Sequence, residues 1–472
     1  MTSAHYDVII VGSGQSGTPL ASAFAAAGRK TALIEGAHIG GTCVNEGCTP
    51  TNTMIASGRV AYLARRGEDY GVQTEKVAID MVKIRQRKRN IVSSRADGSR
   101  KRLVGVDVIN GEASFSAPKT LAVQMIAGGE KTVRGETILI NTGERPRPPN
   151  LKGLDRIDKK RVLNSTSIME LAEVPEHLIV LGGGYVGLEF GQLFRRLGAE
   201  VTVIQRAAQL VPKEDLDVAV SLNKILEEDG IRIHLLTSAV SISNAGYKRR
   251  PIVLETDRAG SISGSHILFA TGRIPNTDML NLDWVGVKTN SRGHIVVNER
   301  LETTASGIYA LGDVHGGPAF THMSYDDFRI IRANLILASV PANTVSLTTT
   351  QASRSRILTP YVIYTDPQLA HVGLHERDLE TMQRKTKTAR MPMGYVARAI
   401  ETDETRGLMK ATVDAETGDI LGFTCLGVEG GEVMSIVQTA MMGGVKWWDL
   451  EAAVWAHPSL AESLNNLWAY LQ

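Results

Sequence analysis

Asp7-Val8-Ile9-Ile10-Val11-Gly12-Ser13-Gly14-Gln15-Ser16-Gly17 is an apolar run ending in G-x-G-x-x-G, the pattern of a strand that turns tightly into a helix. A helix is expected from Pro19 to Ala27, Gly28 stops it, and Lys30 to Ile34 reads as a second strand closing on Glu35. The same order returns at His177-Leu178-Ile179-Val180-Leu181-Gly182-Gly183-Gly184-Tyr185-Val186-Gly187. There the helix is expected from Leu188 to Leu197, Gly198 stops it, and the strand Glu200 to Ile204 closes on Gln205. In both copies the strand-end residue stands 23 positions after the first glycine, 35 − 12 and 205 − 182. A lone glycine motif says little, but two copies in one strand–glycine–helix–strand context are two βαβ units. Glycines let a pyrophosphate approach the backbone, and the helix N-terminus offers N–H groups with partial positive charge. Each copy is expected to hold one dinucleotide.

The strand-end residues differ in chemistry. The Glu35 carboxylate suits a ribose hydroxyl pair, as in FAD or NAD. Neutral Gln205 with cationic Arg206 would instead accept a 2′-phosphate, which favours NADPH over NADH. Each unit is followed by an apolar strand closing on Thr-Gly, at Thr137 to Gly143 and at His266 to Gly272, and a third stretch reads Ile308-Tyr309-Ala310-Leu311-Gly312-Asp313. These landmarks place a first nucleotide domain at 1–150 resumed at 272–345, with a second inserted at 151–271. A Ser/Thr-rich linker at Ser346 to Ser355 opens a third domain, 346–472, with strands at Gly407 to Val413 and Ile420 to Leu426. The fold class expected is α/β, two Rossmann-like dinucleotide-binding domains plus a C-terminal α+β domain.

Composition agrees and excludes other classes. At roughly 150 residues per domain, 472 residues suggest about three domains. The 43% hydrophobic and 22% charged content is too apolar for disorder. A net charge of +2 gives little overall attraction for nucleic acid or an anionic membrane, so neither is an expected partner. Lys83 to Arg102 holds nine basic residues and one acid, but no aromatics interleave for base stacking, so it reads as a solvated helix and loop. No apolar run reaches the ~18 residues of a membrane span, and the start lacks a targeting pattern; a cytoplasmic protein is expected.

Three cysteines cannot form an extracellular disulfide framework. Cys425, in an apolar strand, reads as a core residue. Cys43-Val44-Asn45-Glu46-Gly47-Cys48 follows the first βαβ unit and Gly40-Gly41-Thr42. Five residues of ideal helix separate two Cα atoms by about 8–9 Å, beyond the roughly 7 Å limit for a disulfide. A bridge therefore needs a bend, which Asn45, Gly47 and Pro50 tolerate. Such a small bent loop would be reducible and catalytic rather than a staple. A metal site and two buried thiols are the other readings of the pair.

Taken together, Gly12 to Gly17, the Gly40 to Pro50 segment, Gly182 to Glu189, Ala270-Thr271-Gly272-Arg273-Ile274-Pro275-Asn276, Leu311-Gly312-Asp313 and His457-Pro458-Ser459-Leu460-Ala461-Glu462 resemble the FAD-dependent pyridine nucleotide-disulfide oxidoreductases. That family includes glutathione reductase, dihydrolipoamide dehydrogenase and mercuric reductase. The resemblance spans nearly the whole chain. It implies that Cys48 contacts the flavin and Cys43 attacks the substrate, and that Asp313 and Arg273 lie at the FAD. It also implies a nicotinamide-pocket lid at Tyr185, and cofactor contacts at Gly41, Thr42, Asn52, Ala113, Thr142, Gly143, Glu189, Gly272 and Gly312, besides Gly14 and Gly184 of the glycine motifs. The final domain would form a homodimer, with His457 and Glu462 acting across it on the partner's cysteines. An imidazole oriented by a carboxylate suits proton transfer at a thiol.

Two departures bear on activity. The family usually has lysine four residues after the second cysteine, paired with the glutamate that Glu189 matches; this chain has Asn52. Asn52 could still hydrogen-bond Glu189, but the lost cation should slow flavin reduction by coenzyme. Thr49-Pro50-Thr51 and Thr321-His322-Met323-Ser324 resemble the mercuric reductase branch, with Thr321 and His322 starting a helix whose N-terminus faces the flavin, yet the C-terminal cysteine pair of that branch has no counterpart. The function expected is transfer of electrons from NADPH through FAD and Cys43–Cys48 to a small disulfide or other soft electrophile. The alternatives are quinone reduction directly from flavin, a mercuric reductase-like activity, and a redox-responsive partner-binding protein. The substrate itself is not legible in these motifs.

Overall fold

The structure, a computed structural model, describes residues 4–244, 248–339 and 358–472. The stretch Ser346 to Ser355 expected as a linker lies outside the described residues. The chain divides into two compact units: residues 1–53, 85–147 and 272–356 form one, and 54–84, 148–271 and 357–472 the other.

In the first unit, Ala4–Val11 is the central strand, flanked in parallel by Thr31–Glu35 and Glu130–Ile140. Val106–Ala117 extends the sheet beside Thr31–Glu35, and Ile308–Ala310 beside Glu130–Ile140. Thr120–Met125 joins Val106–Ala117 and Glu130–Ile140 antiparallel, a meander the glycine repeat does not announce. Strands covered on both faces read as continuous apolar runs; here Ile9, Ile138 and Ile140 belong to one core cluster, and Ile10, Leu33 and Leu139 to another.

The second unit holds the other βαβ copy in a five-stranded parallel sheet, ordered Ile231–His234, Glu200–Ile204, His177–Leu181, His266–Phe269 and Val162–Leu163. Its C-terminal part is a separate antiparallel sheet: Tyr361–Ile363, Gln368–Gly373, Ile420–Gly427, Leu408–Asp414 and Thr386–Pro392. The helix Gly430–Met442 packs Val433, Met434 and Val437 into the cluster that holds Phe423 and Cys425. Cys425 is fully buried, as its apolar strand predicts, and burial pushes its thiol up to about 12.

The two glycine turns obey the same steric rule. A Cβ on Gly12 would lie 2.3 Å from the Asn141 carbonyl oxygen, and one on Gly182 would lie 2.4 Å from that of Ala270. Both residues have strongly positive φ, +100° and +113°, which side-chain-bearing residues rarely adopt. The helices start earlier than expected, at Gly17 and Tyr185, so the last glycine of each motif lies in the first turn. The basic run differs too: Met81–Lys101 is one 21-residue helix, without the expected loop before Lys101. It is not wholly solvated either. Met81, Lys88 and Ala96, spaced seven and eight apart, form a buried stripe in which Lys88 is only 4% exposed. Among the described residues, no helix is long and apolar enough to cross a membrane.

Asn141 ties the first turn to a distant strand: its Oδ1 accepts from the Gly17 N–H (3.0 Å) and its Nδ2 donates to the Leu311 carbonyl (2.9 Å). Asn141→Ala leaves two buried groups unpaired, at a cost of about 2 kcal/mol. The unit should then melt about 4–8 °C lower. An unchanged calorimetric melting curve would remove Asn141 from this role.

Candidate active site

The cysteine segment breaks where a continuous helix could not close. A short helix, Gly41–Asn45, carries Cys43, and a new helix, Cys48–Arg65, begins on the second cysteine, with Glu46 and Gly47 between them. The expected bend is thus a full interruption. Asn45 supports it by donating its amide to the carbonyls of Ile39 and Gly41. A Cβ on Gly41 would lie 2.7 Å from the Gly14 Cα, so the cysteine segment rests backbone to backbone on the first glycine turn. Both cysteines are thiols here.

Their surroundings treat the two thiols differently. Cys43 donates its S–H to Cys48, and that bond together with burial pushes the Cys43 thiol up. The same bond lowers Cys48 to about 6, against the opposing effect of burial. Further lowering comes from Thr321, whose Oγ1 lies 3.3 Å from the Cys48 sulfur, from the Cys48 backbone N–H at its helix start, and from Arg273. These contacts favour the thiolate on Cys48 and the proton on Cys43.

Thr321 opens the helix Thr321–Ile331, as its sequence position suggests; its bond to Cys48 is a contact the sequence reading missed. Arg273 donates to the Glu144 carbonyl and lies 3.6 Å from the Glu144 carboxylate, whose other oxygen meets His294 at 2.9 Å. Burial, then the charge of Glu144, pushes the Asp313 carboxyl up to about 6. Gly312 next to it donates its N–H to Asp327 (2.7 Å).

Further expected residues of the first unit stand at four places. Glu35 accepts from the Ser13 N–H and hydroxyl and from the Ala37 N–H, so Ser13 orders the strand-end carboxylate. Thr142 and Asn276 bond each other reciprocally beside Gly143. Ala113 stands in the strand Val106–Ala117 opposite Val123, in the core. Asn52 donates its amide to the Cys48 carbonyl at 3.1 Å, one helical turn before it.

In the second unit, Tyr185 begins its helix half-exposed, and Glu189 one turn on accepts from the Tyr364 N–H at 2.8 Å. Gln205 is buried, accepting from the Gly183 N–H and donating to the Gln209 carbonyl, whereas Arg206 is exposed. His457 is exposed and its Nδ1 lies 2.9 Å from Glu462, the imidazole–carboxylate pair the sequence implies.

Residues 6–327 match the family described as Pyridine nucleotide-disulphide oxidoreductase, and residues 359–468 match that family's dimerisation domain. The chain belongs to the pyridine nucleotide-disulfide oxidoreductases. It is 34% identical over 472 residues to RclA of Escherichia coli (strain K12), across 99% of both proteins. It is 33% identical to a mercuric reductase of Staphylococcus aureus, across 98% of this chain and 81% of that one. The solved structure of the HOCl-induced flavoprotein disulfide reductase RclA superposes with a TM-score of 0.86 at 33% identity, covering 98% of this chain and 99% of that one. A Cu(II) complex of the same reductase superposes at 0.87, with 33% identity and 99% of each chain covered. Membership makes this chain an FAD flavoprotein oxidoreductase that uses a pyridine nucleotide, with Cys43 and Cys48 in the position of a redox-active disulfide. The dimerisation domain implies a homodimer.

Among the described residues, Glu214, His371 and His375 form a buried group of metal-ligating type. The two imidazoles stack 3.8 Å apart at 6°, so their in-plane lone pairs run parallel and cannot converge on one ion. Tyr361 instead joins Glu214 and His375 as a hydrogen-bonded core element.

Thr321→Val removes a bond that favours the thiolate, so the Cys48 pKa should rise by about one unit. Site-resolved iodoacetamide labelling of the reduced holoenzyme against pH would read this as an upward shift of a midpoint near 6. An unchanged midpoint would assign the lowering to the other groups.

Proposed function

We propose that this chain is a cytoplasmic, homodimeric flavoenzyme that takes two electrons from NADPH and delivers them through Cys43 and Cys48 to a disulfide or another soft, thiol-reactive electrophile. The observation that carries this reading is two thiols hydrogen-bonded to each other in unequal settings, Cys48 at a helix start with the Thr321 hydroxyl 3.3 Å from its sulfur, which favours the thiolate there and the proton on Cys43. A single-thiol nucleophile would not need that division. A dithiol that relays electrons does, because one sulfur attacks the acceptor while the other closes the disulfide behind it. Such a disulfide must be re-reduced every turnover, which fits a reducing cytoplasm.

The residues fit the cofactor. Bound FAD supplies the two-electron carrier between the nicotinamide and the cysteine pair. Gly12, Gly14 and Gly17 would admit its pyrophosphate, and Gly41, Thr42, Thr142, Gly143 and Gly312 would line its path. Ser13 and Ala37 occupy only part of the acceptor capacity of Glu35, leaving room for a ribose hydroxyl. Asp313 would take a flavin-chain hydroxyl, and Arg273 keeps a positive charge near the thiols.

Cys43 holds its proton and needs a base to attack. The partner subunit's His457, oriented by the carboxylate of Glu462 in its own chain, would remove it. In the second unit, Gly182, Gly184 and Gly187 would cradle the coenzyme pyrophosphate, Tyr185 would gate the nicotinamide, and Gly272 would close the strand end. The Gln205 amide is already committed to the glycine turn, so discrimination of a 2′-phosphate would fall to exposed Arg206. Without a lysine at Asn52, the charge beside Glu189 is missing and coenzyme-driven reduction should be slow. The names of relatives point to soft acceptors: mercuric reductases, and an RclA captured with Cu(II).

Steady-state and stopped-flow rates test this with NADPH and NADH against oxidised glutathione, lipoamide, mercuric and cupric ions, and quinones. Cys43→Ser and Cys48→Ser should abolish turnover of the soft acceptor while quinone reduction persists. Arg206→Ala should raise the KM for NADPH about tenfold, the loss of one charge-assisted contact, and leave NADH unaffected; Asn52→Lys should speed the reductive half-reaction. Equal turnover of every acceptor by the cysteine variants would establish the quinone-reductase alternative instead.

A further inference from the structure

The turn Gly312–His315 carries Asp313, and its two ends meet one carboxylate. Asp327, in the helix Thr321–Ile331, is 1% exposed. Its Oδ2 accepts from the Gly312 N–H at 2.7 Å and from the His315 imidazole at 2.9 Å. An ionised carboxyl can only accept, so His315 donates from Nε2. The two donors stand at either end of the turn, with Asp313 between them.

Stability alone does not account for this carboxylate. Taking a carboxylate and an imidazole out of water is costly, and apolar side chains of similar volume commonly hold a core as well. What the pair supplies is geometry. Gly312 has a φ of +69°, and a Cβ there would lie 2.8 Å from the Ser324 Oγ, so the turn presses against the helix that bears Asp327. That helix is itself fixed: Phe328, Ile330 and Ile331 sit in the core cluster with Leu311, and the Ser324 Oγ lies 2.7 Å from the Ser16 Oγ, at hydrogen-bond distance. Asp327 thus reaches the turn from a rigid support, while the Gly316 N–H closes the turn on the Asp313 carbonyl at 2.9 Å. The backbone of Asp313 has little freedom left.

We propose that Asp327 is a positioning residue for the flavin: by holding both ends of the turn it sets the direction in which Asp313 presents its carboxyl to the FAD chain, with His315 as the second anchor. The inference rests on the reading that Asp313 takes a flavin-chain hydroxyl. Asp327, with 2% of its side chain exposed, is too buried to reach the cofactor itself. Its effect on FAD passes through the turn it holds, so Asp327 and Asp313 act as one coupled pair rather than as two independent contacts.

The flavin fluorescence freed on dilution of the holoenzyme reads FAD affinity in a double-variant cycle. Asp327→Ala, which strips both donors of their acceptor, should weaken FAD binding about tenfold, and Asp313→Ala at least as much. The two together should bind no more than about twofold weaker than Asp313→Ala alone. Asp327→Asn keeps an acceptor oxygen and should bind FAD within about threefold of the parent. His315→Leu repeats the cycle at one donor and serves if Asp327→Ala folds poorly. Three results would overturn the inference: losses that multiply in the double variant, Asp327→Asn as weak as Asp327→Ala, or parent-like FAD binding in both Asp327→Ala and His315→Leu. Parent-like binding in Asp313→Ala would instead remove the reading of Asp313, and the inference with it.

Discussion

The contact on which the first unit depends is the meeting of Gly41 with Gly14, two backbones too close for a Cβ between them. It seats the cysteine segment on the glycine turn. From that turn the constraint spreads: the Ser16 hydroxyl donates to the Ser324 carbonyl at 2.6 Å, which pins the helix Thr321–Ile331, and that helix presents Thr321 to Cys48. Asn141 closes the circuit by joining Gly17 to Leu311, next to Gly312 and Asp313. A dinucleotide turn and a thiol pair are thereby held by one set of short hydrogen bonds, with little room for either to move alone.

The electrostatics of the thiols follow from that arrangement. Cys48 begins a helix and so meets free N–H groups, a hydroxyl and, at longer range, Arg273. Asn52 is a neutral amide and contributes no charge; it donates to the Cys48 carbonyl. The cationic field near the pair thus rests on Arg273, which Glu144 partly neutralises. This chain stabilises its thiolate with hydrogen bonds and a helix end more than with a neighbouring cation, and hydrogen bonds of that kind are insensitive to ionic strength.

Much of this was legible in the sequence, for reasons that can be stated. The repeat at Gly12 and Gly182 is visible because the same steric demand, a carbonyl oxygen where a Cβ would stand, recurs at the same chain spacing. The His457–Glu462 pair and the core placement of Cys425 are local patterns and survive unchanged, while the bend expected between Cys43 and Cys48 is a break between two helices. What escaped is what only tertiary packing creates. Lys88 is basic in a basic run, yet it falls on the buried stripe of its helix. Glu144 joins Arg273 from 129 residues away, and Thr321 reaches Cys48 across 273. A cleft of the second unit is lined by Tyr62, Arg65, Arg66, Arg195, Arg196 and Arg406, residues so far apart along the chain that no window of sequence contains it.

The central proposal is that Cys48 carries the thiolate and would face the bound flavin, while Cys43 keeps its proton. Anaerobic two-electron reduction of the yellow holoenzyme, followed by absorbance across pH, tests it most directly. The account predicts a long-wavelength thiolate band, present at neutral pH, fading as pH falls through about 6, and missing in Cys48→Ser. A protein that is colourless as purified, or one whose two-electron form shows no such band at any pH, would contradict it.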